Sequence, residues 1–174
     1  MTSTADASPT HGWQRHIPPG VSFHPDDLLR EGTLVRAWTR HWREHPHRPV
    51  VHGRSANGEA AGWVDGATLD ERSRVVAGRL HAAGVRAGDR VLLSGANTID
   101  LVVAHVACLR LGAVVVPANG AYREREVAHA MRDCTPAAAI VDDPAWHAWI
   151  RDLAPGTVVT TSTVDLPDGA VPEL

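Results

Sequence analysis

Gly88-Asp89-Arg90-Val91-Leu92-Leu93 and Gly112-Ala113-Val114-Val115-Val116-Pro117-Ala118-Asn119 enclose a long apolar segment, with a Gly or Pro at each junction. Two short aliphatic runs around a stretch of helical length read as strand, crossover helix and strand, the unit that builds parallel sheets. The rhythm continues downstream. A helix is predicted over residues 98–111 with Asn97 or Thr98 as its cap, then a strand over 113–116 and a helix over 123–134. A strand over 137–141 follows, and Asp143-Pro144 opens a helix to Leu153 with cap and proline in the favoured order. Residues 157–161 are the last strand candidate. Strands alternating with helices predict an α/β fold, a parallel sheet flanked by helices and joined by right-handed crossovers.

Working upstream, residues 68–71 (Thr-Leu-Asp-Glu) have the spacing of a capping box, opening a helix that stops at Gly84. Leu69, Val76, Leu80 and Ala83 share one stripe of it, while Arg72, Arg74 and Arg79 lie elsewhere and read as solvated surface. Residues 50–52 and 62–64 predict a small hairpin around Ser55-Ala56-Asn57-Gly58, since Asn-Gly favours a tight turn. Residues 33–45 carry Leu34, Ala37, Trp38 and Trp42 at helical spacing, with Thr33 as cap and Pro46 beyond the end. Residues 1–26, which include Pro18-Pro19-Gly20, read as a flexible leader, and 27–174 as one α/β unit.

Composition narrows the function classes. The net charge is −3, too small and of the wrong sign to hold nucleic acid or an anionic membrane. All 17 Lys-plus-Arg positions are arginine, so no lysine exists for a Schiff base or a phosphate contact. Residues 99–117 are the most apolar, but Asp100, His105, Arg110 and Gly112 interrupt them, and no membrane span is expected. The N-terminus lacks the apolar stretch of a secretory signal. Cys108 and Cys134 form no disulfide framework or zinc knuckle, which points to the reducing cytoplasm.

Other candidate sites are thin. Among eleven histidines, His41 and His45 stand four apart on a helix with His47 nearby, but no third ligand is evident and no metal site is expected. Of six tryptophans, Trp38 and Trp42, and likewise Trp146 and Trp149, are expected to pack inward. Asp89, Asp142 and Asp143 sit at element ends, where carboxylates serve as caps and turn residues. No G-x-G-x-x-G follows a strand.

Several stretches together resemble, in order and spacing, the N-terminal region of the adenylate-forming (AMP-binding) superfamily, particularly acyl-CoA synthetases. They are residues 33–51 with Pro46 and Arg48-Pro49, residues 68–89 ending in Gly88-Asp89, residues 92–97, 101–107 and 111–117, and Tyr122-Arg123-Glu124-Arg125-Glu126-Val127-Ala128-His129. Residues 136–141 resemble the strand behind that last helix. Gly120 departs from the family's usual proline, and Ser94-Gly95-Ala96 from its bulkier approach to Asn97; both alter loop stiffness more than chemistry.

The resemblance implies an acid–thiol ligase: a carboxylate attacks the α-phosphate of ATP, and the acyl-adenylate is then transferred to coenzyme A. Charge building on phosphoryl oxygens calls for backbone amides, magnesium and a cationic side chain. In the family a TSGTTGxPKG-like loop supplies them, beyond the region matched here. Thr160-Thr161-Ser162-Thr163 has no glycine or lysine beside it, and without glycine successive amides are not readily presented to phosphate. No catalytic or cofactor-binding residue therefore carries over. The expectation is a unit truncated before the phosphate-binding loop, silent alone. ATP, Mg2+, coenzyme A and a carboxylate belong to a complete enzyme, and the remainder of the synthetase or a related protein is the partner. The alternatives are a stand-alone interaction module derived from that fold and an unrelated doubly wound nucleotide binder.

Overall fold

The computed structural model describes residues 34–55, 57–160 and 166–169. The leader, the Thr33 cap and Thr161-Ser162-Thr163 lie outside the described residues. Helix α1 (Leu34–Glu44) leads into an antiparallel hairpin, β1 (Pro49–Arg54) and β2 (Ala60–Asp65). Then come α2 (Gly66–Ala82), β3 (Arg90–Ser94), α3 (Ile99–Arg110), β4 (Val114–Pro117), α4 (Glu124–Cys134), β5 (Ala138–Val141), α5 (Pro144–Leu153) and β6 (Val158–Thr160). The second sheet is wholly parallel in the order β4-β3-β5-β6.

Side chains alternate across each strand, and that alternation divides the interior in two. Val91 and Leu93 of β3, with Ala138 and Ile140 of β5, face a core made with α2, α3 and the hairpin. Leu92, Ala139 and Val141 face the opposite side, against Val127 and Met131 of α4 and Trp146 and Ile150 of α5. Strands buried on both faces must be apolar throughout, hence the continuous aliphatic runs. Trp42 and Trp146 are buried as expected, while Trp38 and Trp149 are half-buried beside them.

Local chemistry sets the helix starts. Thr98 Oγ1 accepts from the Leu101 N–H at 3.2 Å, and Asp143 Oδ1 from the Ala145 N–H at 2.8 Å. At α4 the Glu126 carboxylate reaches back to the Arg123 N–H at 2.8 Å. The capping box predicted at Thr68 is displaced. Helix α2 begins at Gly66, capped by Asp65, whose Oδ1 accepts from the Thr68 N–H at 2.9 Å. A carboxylate at the end of β2 reaches the orphan first-turn amides before the Thr68 hydroxyl can serve as cap. That contact holds the Asp65 carboxyl below its ordinary value. The hairpin strands are longer than predicted, and Gly58, at φ +81°, closes their turn by donating to the Ser55 carbonyl at 2.9 Å.

The α2–α3 contact combines apolar packing with a buried ion pair. Arg110 of α3, 8% exposed, pairs with Asp70 and donates through Nε to Ser73 Oγ at 2.9 Å. Ser73 in turn donates to the Leu69 carbonyl at 2.6 Å. Arg72 of α2 also pairs with Asp100 of α3, at 2.6 Å. Residues 166–169 lie along α2: Leu166 is buried, and Asp168 meets Arg79 at 3.1 Å. Arg72 and Arg79 are thus engaged in pairs between elements rather than wholly solvated.

Removing one member of a buried pair strands the other's charge. Asp70→Ala is expected to lower unfolding free energy by about 3 kcal/mol. Arg110→Met should cost less, because Met refills the volume and the more exposed Asp70 can be hydrated. Urea denaturation followed by circular dichroism checks the order; equal losses would show that the charge itself is not what matters.

Candidate functional site

In open α/β sheets ligands bind outside the carboxyl ends of the strands, where successive connections leave in opposite directions along the sheet. Here β3 connects outward to β4, and the chain then returns past β3 to β5, so that point lies between β3 and β5. Ser94 ends β3 and Asp142 follows β5. The crevice between them is closed by the chain's own carboxylate: Asp142 Oδ2 accepts from the Ala96 N–H at 2.6 Å. Gly95 makes the approach possible, since a Cβ there would sit 3.2 Å from Asp142 Oδ2 and 3.3 Å from Leu101 Cδ1. An amide already engaged and a negative charge beside it make this a poor place for a phosphate.

Next to it, a cleft of about 370 Å³ opens at the ends of β3 and β4, lined by Trp38, Leu93, Ser94, Leu101, Pro117 and Ala118, with His105 on α3. Its walls are mostly apolar. A wider groove of about 910 Å³ runs along α4 on the opposite face, between Leu92 and Val116 on one side and Tyr122, Glu126 and His129 on the other. Tyr122 stacks on the buried Trp146 with centroids 6.4 Å apart and planes 8° from parallel. The cleft lining includes Ser94 and His105 and the groove lining Cys134 and His129, but among the described residues no hydrogen bond joins either nucleophile to its base, the arrangement covalent catalysis requires.

The three flagged aspartates do structural work at element ends. Asp89 Oδ2 accepts from the Arg86 N–H at 2.7 Å, Asp143 caps α5, and Asp142 ties the β5 end to the β3 loop. That last contact spans 46 residues, which no local pattern could reveal. Both thiols are free; burial pushes Cys108 up to about 12 and also raises Cys134. A thiolate is the reactive form, so neither environment activates sulfur. His41 lies on the exposed last turn of α1 and the exposed His45 directly follows its end, where the structure adds Glu44 to them; His47 instead makes a long contact, 3.5 Å, with Asp65.

This fold and strand order have clear relatives. The family model for AMP-binding enzymes matches residues 38–173. Rice 4-coumarate–CoA ligase 5 is 37% identical over 106 residues, 61% of this chain and 19% of that protein. Feruloyl-CoA synthase of Amycolatopsis is 33% identical over 138 residues, 78% of this chain and 26% of that enzyme. Among solved structures, apo MatB from Rhodopseudomonas palustris superposes with a TM-score of 0.63 at 27% identity, covering 78% of this chain and 26% of MatB. The α/β unit therefore defines the N-terminal region of an adenylate-forming protein. The chain belongs to the AMP-binding enzyme family, and it spans about a quarter or less of the length of these relatives. Among the described residues, no helix is long and apolar enough to cross a membrane.

A disulfide-based thiol reagent should label Cys134 in the native chain and reach Cys108 only in denaturant. The raised Cys108 value also has a sign: a thiol that ionises near 9 when unfolded but about 12 when folded supports the fold fully below pH 9. That support is lost as pH rises from 9 toward 12, and Cys108→Ala should flatten the stability–pH curve in that window. Equal labelling of both thiols in the native protein would contradict the burial argument.

Proposed function

We propose that this chain is the N-terminal scaffold portion of an AMP-dependent acid–thiol ligase, an acyl-CoA synthetase. The whole enzyme would couple a carboxylic acid to ATP, giving acyl-adenylate and pyrophosphate, and pass the acyl group to coenzyme A. The observation that carries the reading is the family match over residues 38–173, joined to relatives that are themselves CoA ligases. Their acids include coumarate, ferulate and fatty acids, so the substrate class is carboxylic acids, aryl or aliphatic.

In this reading the chain alone does no chemistry. Its 174 residues contain no lysine and no Gly/Ser/Thr-rich loop to cradle phosphate. Asp142 further discourages an anion at the crevice between the ends of β3 and β5. ATP, Mg2+ and coenzyme A would be held by the remainder of the ligase, which is the expected partner. The open outer edge of β4, with Val114 half exposed, and the groove along α4 are surfaces it could cover. A cytoplasmic setting follows, where ATP and coenzyme A are supplied.

ATP–pyrophosphate exchange tests the reading directly. The purified chain with ATP, Mg2+ and ferulate, coumarate or octanoate should give no exchange above the protein-free rate. A chimera in which residues 38–173 replace the matching quarter of Amycolatopsis feruloyl-CoA synthase should keep exchange. Exchange by the chain alone, or a folded chimera without it, would count against the proposal.

A further inference from the structure

We propose that His41, Glu44 and His45 form a surface site for one divalent transition metal, an ion of the zinc, copper or nickel class that favours imidazole. The His45 N–H donates to the His41 carbonyl at 2.9 Å, so the last turn of α1 is closed and the two imidazoles stand one above the other. Glu44, three residues after His41, shares that face. One ligand atom from each residue lies within 4.8 Å of the others. The two rings meet edge to face, at 64° with centroids 4.8 Å apart, rather than stacking flat.

Zinc bonds of about 2.0–2.1 Å require donors closer together than this, by roughly 1–2 Å. All three side chains are exposed, so rotamer changes supply that movement and little desolvation opposes it. Two imidazoles and a carboxylate, with the fourth position left to water, are a donor set that suits such ions. The site also sits where the final carbonyls of the helix carry partial negative charge, which favours a cation. Within the same turn Trp42 is buried against the start of α2, with its Cβ 3.0 Å from where a Gly66 Cβ would stand. A bound ion would clip together the turn that holds this tryptophan in place. The inference is independent of the ligase reading.

Calorimetric titration of the whole chain with zinc chloride tests it. One equivalent should bind, and His41→Asn or His45→Asn should each weaken binding by about tenfold or more. Glu44→Gln should weaken it by less, and zinc should raise the melting temperature of the native chain but not of the double histidine variant. With eleven histidines in all, the double variant decides the location. No zinc uptake, uptake that survives in the double variant, or affinity indifferent to Glu44→Gln would overturn the three-donor site.

Discussion

Everything in this molecule leans on β3. It is a central strand, hydrogen-bonded to β4 on one side and β5 on the other, and its successive side chains enter opposite cores. A strand held this way cannot slip by one residue without exchanging the two interiors, so its register is fixed from both faces at once. The α2–α3 layer and the α4–α5 layer are thereby aligned through one five-residue segment.

The parts of the fold that sequence displays best are those governed by burial and local capping. Val91 to Leu93 and Ala138 to Val141 are apolar because both faces are covered, and Asp143-Pro144 marks α5 because cap chemistry is local. The start of α2 was misleading for the same reason that caps are informative: Asp65 and Thr68 are both good cap residues, and only the course of β2 decides which reaches the first-turn amides. Arg110 in an apolar helix looks like an interruption until Asp70 and Ser73, 40 and 37 residues away, are brought beside it. Long-range polar pairs leave no period in a single sequence.

The arrangement separates two properties that the AMP-binding family usually presents together. Its doubly wound core has the topology that favours ligands at the strand ends, yet the favoured crevice is plugged by Asp142 and the segment lacks any cation that could reach a phosphate from a lysine stem. On the function proposed above, fold and chemistry would be carried by different stretches of sequence. A topology associated with nucleotides need not hold one.

The outer edge of β4 has a further meaning. Only four residues long, it closes with Pro117, which has no N–H to offer a newcomer. A stray copy of the chain, or an unfolded neighbour, therefore finds little backbone to template upon, despite the run of valines.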